Sequence, residues 1–111
     1  MTPNEYMVLA YRSANHDLTE SEQLCNGLMG LNGEAGECID ILKKHLYQGH
    51  ELDRDHLAKE LGDVCWYLAV SCKALGIDLE TVMQGNIEKL MGRYPDGFDS
   101  ELSQHRATGD I

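Results

Sequence analysis

The apolar residues of this chain recur mostly every three or four positions, a spacing typical of helices that bury one face. The pattern predicts four helices, with boundaries uncertain by about 2 to 4 residues, near 3–14, 20–47, 53–75 and 78–92. The two prolines, Pro3 and Pro95, stand near the two ends of this helical region. We therefore predict an all-α fold, a bundle of four to five helices.

Glycine marks both the ends and the interior of the predicted helices. Gly49 and Gly76 are natural stops for the second and third helices, and Asp53 or Asp55 can cap the start of the third. The second helix also contains four internal glycines, each of which costs about 1 kcal/mol relative to alanine: Gly27, Gly30, Gly33 and Gly36. Close approach of another helix or a kink would explain this run. The alternative is that the segment is two helices, broken in the middle of the run.

The third predicted helix is apolar around its whole circumference over residues 64–70, "VCWYLAV". Such a helix is buried on every side. Trp66 falls opposite the main apolar stripe, and four helices of one small domain cannot easily cover both faces. We therefore predict a homo-oligomer in which Trp66, Ala69 and Val70 face another chain. The alternative is a monomer with one exposed tryptophan.

Length and charge limit the possible partners. The 111 residues fit one domain, predicted over 1–98, with a polar C-terminal tail over 99–111. A formal net charge of -10 argues against nucleic acid or an anionic membrane as a main partner. No run approaches the roughly 20 apolar residues of a membrane span, and no secretory signal is apparent, so a cytoplasmic location is expected. The four cysteines form no CxxC pair and are predicted to be structural thiols within helices.

Two pairs of acids carry the candidate chemistry. Glu34 and Glu37 lie three residues apart on the second predicted helix, and Glu60 and Asp63 do so on the third. Each pair therefore shares a helix face. In an antiparallel hairpin the pairs stand at similar heights, with Glu34 and Glu60 at the edge of the core and the other two toward solvent. Four such carboxylates suit Mg²⁺, or Mn²⁺, and without a cation they raise one another's pKa values.

These acids have two other interpretations, a solvated acidic face and a di-iron site. An isolated ExxE is usually a pair of ordinary acids on a solvated face, and two matched pairs are stronger evidence than one. A di-iron carboxylate bundle calls for Glu-x-x-His pairs. Neither Glu37 nor Glu60 is followed by histidine three residues later, which favours oxygen-only ligation.

A polar edge on the fourth predicted helix adds candidates for substrate binding. Asn86 takes a position in the apolar stripe where leucine would be expected, and Lys89 and Arg93 follow it on the same side. Asparagine can complete a metal shell or bind a substrate hydroxyl, while lysine and arginine suit phosphate oxygens. The alternative is a buried amide beside two solvated cations. Lys44 lies seven residues after Glu37 on the same edge of its helix.

Three blocks of the sequence, "GLNGEAGECIDILKK", "LAKELGDVCWYLAV" and "NIEKLMGRYPDGF", resemble the signature blocks of the MazG-like all-α nucleoside triphosphate pyrophosphohydrolases. The resemblance covers about residues 24–98. It implies dimers or tetramers and magnesium-dependent cleavage of a nucleoside triphosphate to the monophosphate and pyrophosphate, in a nucleotide-pool house-cleaning role. By motif position it implies metal ligation by Glu34, Glu37, Glu60 and Asp63, with Asn86 and Lys89 on metal or phosphates.

Within this interpretation, Glu37 can act as general base for the attacking water in place of, or in addition to, binding metal. Lys89 and Arg93 would stabilise the departing pyrophosphate. Two alternatives remain at this stage. One is a phosphoribosyl-ATP pyrophosphohydrolase, which belongs to the same superfamily. The other is a non-catalytic helical module that binds metal or nucleotide and regulates a partner.

Overall fold

The computed structural model describes all residues, 1–111, and contains five α-helices and no β-strand. The helices are α1 (Pro3–Tyr11), α2 (Glu20–Gln48), α3 (Arg54–Leu75), α4 (Leu79–Arg93) and α5 (Ser100–Gln104). This confirms the predicted all-α class. The chain divides into two compact units, Met1–Leu79 and Glu80–Ile111.

The helix ends follow the capping chemistry of the sequence. Thr2 and Thr19 each form a capping box that starts α1 and α2. The side chain of Asp53 accepts the backbone N–H of His56, so Asp53 and not Asp55 caps α3. Gly49 and Gly76 end α2 and α3 in the left-handed conformation, with φ of 73° and 75°, which confirms both predicted stops.

Helix α2 is continuous through its glycines, which confirms the single predicted helix; the alternative of two helices broken in the middle of the run is wrong. A Cβ atom on Gly27 would collide with the side chain of Ser71 on α3, and one on Gly30 would collide with the Tyr67 ring. These two glycines therefore allow α2 and α3 to approach closely. Gly33 and Gly36 have no such neighbour within 4 Å.

Helix α1 covers the face of α3 that carries Trp66. The Trp66 Nε1–H group lies 3.0 Å from the Ala10 carbonyl oxygen and 2.9 Å from Ser13 Oγ, and donates to both. Ala69 and Val70 are 0% and 6% exposed within the single chain. The prediction that Ala69 and Val70 face another chain is wrong, because they are buried within the single chain, where α1 packs against α3. Trp66 is half-buried.

Apolar side chains lie exposed elsewhere in the first unit. On α2, Met29 is 70% exposed and Ile39 is 61% exposed. All four cysteines are free, and their surroundings differ. Cys72 is buried and Cys38 half-buried, whereas Cys25 and Cys65 are exposed. All four lie within α2 or α3 as free thiols, as predicted, but Cys25 and Cys65 are not buried in the way that structural thiols usually are.

In the second unit, Asp99 caps the short helix α5 by accepting the backbone N–H groups of Glu101 and Leu102. Further along, Arg93 of α4 forms an ion pair with Asp110. Part of the segment predicted as a polar tail is therefore helical and bonded to α4. None of the five helices is both long enough and apolar enough to cross a membrane.

Candidate metal centre

Three of the four predicted acids converge where α2 lies against α3. Glu34 of α2 and Glu60 and Asp63 of α3 each offer one carboxylate oxygen, and these atoms all lie within 4.8 Å of one another. Glu34 and Glu60 are half-buried and Asp63 is exposed. This is the placement expected from helical rotation in an antiparallel hairpin.

The carboxyl groups of Glu34 and Glu60 lie close together, with oxygen atoms within 4.8 Å of each other. Hydrogen bonding to Glu60 is the main reason why the pKa of Glu34 is raised to about 7, followed by burial and by the negative charges of Glu60, Asp63 and Glu37. Near neutral pH, Glu34 therefore carries a proton for a substantial fraction of the time. A divalent cation bound by these oxygens would replace that proton and relieve the repulsion.

Glu37 is exposed and lies outside the group of three converging oxygens. Its charge nevertheless contributes to the raised pKa of Glu34, which lies three residues earlier on the same helix. On α1, the pKa of Tyr6 is raised by burial first and then by the charges of Cys65 and Asp63. The negative charge of Asp63 is therefore felt by a side chain of α1 as well as by Glu34.

His56 bonds to this cluster and was missed in the sequence. Its Nε2 atom lies 3.1 Å from Oε1 of Glu60, four residues later on α3. The imidazole is 54% exposed, whereas the Glu60 side chain is 17% exposed. The spacing of four residues was the available signal, because such a pair shares a helix face.

Lys44, predicted to bind substrate, is engaged by a neighbour on its own helix. Its Nζ atom lies 2.8 Å from Oδ2 of Asp40, and Lys43 lies 3.2 Å from the other carboxylate oxygen. The hydrogen bonds from Lys44 and Lys43 lower the pKa of Asp40. Any phosphate contact by Lys44 would have to compete with this carboxylate.

The predicted polar edge, Asn86, Lys89 and Arg93, lies on α4 in the second unit. Asn86 is exposed, so its predicted place in a buried stripe is wrong; the apolar neighbours Met83 and Ile87 are exposed as well.

Arg93 is already paired with a carboxylate. Its Nε and Nη2 atoms donate to the two carboxylate oxygens of Asp110 at 2.8 and 2.9 Å. The two side chains are 10% and 14% exposed. Together with Lys89 they line a cavity of about 360 Å³ in this unit. No sequence pattern predicts this pair, because its members are 17 residues apart.

Comparison with known proteins decides the family. The family profile of the MazG nucleotide pyrophosphohydrolase domain matches residues 23–98, which include the four predicted acids, Glu34, Glu37, Glu60 and Asp63. The chain belongs to the MazG family. It is also similar to the Gene 37 protein of Mycobacterium phage L5, with 41% identity over 85 residues that cover 73% of this chain and 75% of the phage protein. No solved structure matches the chain. The family membership indicates a nucleotide pyrophosphohydrolase.

Proposed function

We propose that this MazG-family protein is a metal-dependent nucleoside triphosphate pyrophosphohydrolase that converts a nucleoside or deoxynucleoside triphosphate to the monophosphate and pyrophosphate. The observation that carries the proposal is the convergence of Glu34, Glu60 and Asp63 across two helices, within a chain of this family. The biological role that we propose for this reaction is house-cleaning of the nucleotide pool.

The acids fit Mg²⁺, or Mn²⁺, by their chemistry. They offer hard oxygen ligands and no sulfur or nitrogen, which is the donor set that both ions accept. The raised pKa of Glu34 supports the fit, since it reflects negative charge held together without a cation. When bound, the ion would neutralise phosphate charge, orient the triphosphate and lower the pKa of a coordinated water.

The remaining roles fall to this chain's own side chains. Glu34, Glu60 and Asp63 hold the cation, with Glu37 as a further ligand. Glu37 is also the proposed general base, because an exposed carboxylate beside the cluster is open to water and can take a proton from it. Near neutral pH, the proton on Glu34 has to leave before that carboxylate can ligate.

The phosphates are assigned to cationic and amide side chains by their chemistry and by the family motif. Asn86 and Lys89 contact metal or phosphate, and Arg93 stabilises the departing pyrophosphate. Arg93 can take this part only if phosphate displaces Asp110. Lys44 is a fourth candidate, once released from Asp40.

A homo-oligomer, dimer or tetramer, remains part of the proposal, although not through Trp66. Exposed apolar side chains such as Met29 and Ile39 on α2 supply surface for a second copy to cover. The cytoplasmic location and the absence of nucleic-acid partners stay predictions.

The test is a panel of standard and modified nucleoside triphosphates, assayed for pyrophosphate release with Mg²⁺ and with Mn²⁺. We expect metal-dependent release that is lost in Glu37→Gln and Asp63→Asn proteins of unchanged helicity. Glu51→Gln serves as the matched control, since it removes an exposed carboxylate outside the cluster. Activity that survives both substitutions would reject the site.

Two alternatives are separated by the same experiment. Phosphoribosyl-ATP is included in the panel. Its hydrolysis in preference to nucleoside triphosphates would identify the protein as a phosphoribosyl-ATP pyrophosphohydrolase. A regulatory binding module would show a melting temperature raised by metal and nucleotide, through mass action, without pyrophosphate release.

A further inference from the structure

We propose that His56 is a positioning residue for Glu60: it donates a hydrogen bond that fixes the carboxylate for metal binding. The inference rests on the proposed metal site and extends it to a residue outside the acid motifs. His56 Nε2 lies 3.1 Å from Glu60 Oε1, and a carboxylate oxygen can only accept, so the imidazole is the donor.

Glu60 needs such a donor. Its side chain is only 17% exposed and lies beside two other carboxylates. A carboxylate that is largely removed from water requires hydrogen bonds to remain in place. His56 approaches from the same helix and engages one oxygen of this carboxylate, Oε1.

The position of His56 is itself fixed by the start of α3. Asp53 caps the helix by accepting the backbone N–H of His56 at 3.0 Å. One turn later, the imidazole of His56 reaches Glu60. A chain of bonds therefore runs from the cap through His56 to Glu60, and a carboxylate oxygen of Glu60 lies within 4.8 Å of one of Glu34 on α2. Outer partners of this kind orient the ligands of metal sites, and their loss typically weakens metal binding by about 10- to 100-fold.

His56 acts through Glu60 and not as a ligand in its own right. Its ring nitrogens are not among the atoms that converge within 4.8 Å, although histidine nitrogen is a potential metal donor. A positioning role needs only an N–H donor at the Nε2 position. Glutamine, whose side-chain amide carries a donor at a similar reach, should therefore replace histidine, and alanine should not.

The experiment measures Mn²⁺ binding to the full chain by isothermal titration without nucleotide. Four variants are compared with the wild type: His56→Ala, His56→Gln, Glu60→Gln and His45→Ala. His45 is the matched control, because its ring bonds only to a backbone carbonyl, that of His50, at 2.8 Å. The Mg²⁺ concentration for half-maximal activity and the KM for nucleotide at saturating Mg²⁺ are measured in parallel.

We expect His56→Ala to raise the Kd for Mn²⁺ by about 10-fold, and His56→Gln and His45→Ala to bind close to the wild type. The half-maximal Mg²⁺ concentration should rise in His56→Ala, with little change in the KM for nucleotide once metal is saturating. The melting temperature of the metal-free protein should stay near that of the wild type.

Unchanged Mn²⁺ affinity in His56→Ala, with affinity lost in Glu60→Gln, would overturn this inference and leave the metal site standing. Equal weakening in His56→Ala and His56→Gln would also overturn it, because the histidine would then act in some way other than as a donor. Wild-type affinity in Glu60→Gln would reject the metal site, and the role of His56 with it.

Discussion

Glu34 and Arg93 both lie in partly buried groups of charged side chains, but Glu34 faces charges of its own sign and Arg93 faces the opposite charge. The pKa of Glu34 is raised to about 7 by its bond to Glu60, by burial and by the surrounding acids. In the second unit, the hydrogen bonds from Arg93 lower the pKa of Asp110. One group is satisfied from within the chain, while the other is left with unbalanced negative charge.

This difference in charge balance favours the acid cluster, and not the pair of Arg93 and Asp110, as the group that binds a ligand. Bringing carboxylates together costs free energy, and such arrangements tend to occur at functional sites. The pair between Arg93 and Asp110 has both partners in the same unit and bidentate geometry, which suits a structural contact. The acid cluster is therefore the group that we propose to bind a cation, whereas Arg93 can reach a phosphate only if Asp110 is displaced.

The largest expected effect comes from removing one charge from the acid cluster. Glu34→Gln deletes a metal ligand but keeps a side chain that can bond to Glu60. A residue that ligates the metal directly matters more than a residue that only hydrogen-bonds to a ligand. Activity should therefore fall by more than the roughly 100-fold that the loss of such an outer residue can cost. Pyrophosphate release at saturating Mg²⁺ measures this loss, and near-normal activity would contradict the assignment of Glu34.

A second substitution tests how the acids are brought together. Gly27→Ala places a Cβ against Ser71, whose Cα and Cβ would lie at 3.3 Å, so the protein should lose about 1–3 kcal/mol of stability. The matched control is Gly33→Ala on the same helix, where no atom lies within 4 Å; it should gain up to about 1 kcal/mol. Denaturant unfolding of both variants compares the free energies. Equal effects would mean that α2 and α3 do not approach as closely as described.

Asp110→Asn tests the charge pair of the second unit. The substitution leaves the Arg93 guanidinium without its anionic partner, and the melting temperature should fall by several degrees. Asp96→Asn, an exposed acid of the same unit, is the control and should melt like the wild type. Unchanged melting of Asp110→Asn together with a lower KM for nucleotide would instead show that Asp110 competes with substrate for Arg93.

The smallest expected effect is a pH dependence of stability in the metal-free protein. The pKa of Glu34 is raised from 4.5 to about 7 in the folded state, so between these values the folded chain binds more protons than the unfolded chain. Its contribution to stability is complete below pH 4.5 and is lost as the pH rises through about 7. Melting in the presence of a chelator checks this, with the difference between the wild type and Glu34→Gln isolating the group. A difference that does not vary across this range would contradict the raised pKa.

Much of the local structure follows from the sequence alone. Helix caps depend on residues close by in the sequence. Short-range chemistry was therefore enough to predict the start of α3 near Asp53 and the ends of α2 and α3 at Gly49 and Gly76. The approach of Glu34 to Glu60 was also accessible, because the acids repeat at helical spacing on two helices joined by a short turn.

The features that sequence reasoning missed depend on contacts between distant segments. Periodicity shows that Trp66 is on an apolar face but not that α1 covers it, since the bond to Ala10 joins residues 56 positions apart. The pairing of Arg93 with Asp110 was hidden for the same reason.

The sequence by itself determined four of the five helices, the stops at Gly49 and Gly76 and the two acid pairs, because each depends on interactions within a few residues along the chain. Only the tertiary structure decided that α1 packs on Trp66, that three acids converge while Glu37 stays outside, and that Arg93 already has a partner. These outcomes depend on how helices approach one another in space. At Gly27 and Gly30 that approach is set by the missing side chains, which let α2 come close enough to α3 for carboxylate oxygens of Glu34 and Glu60 to lie within 4.8 Å of each other.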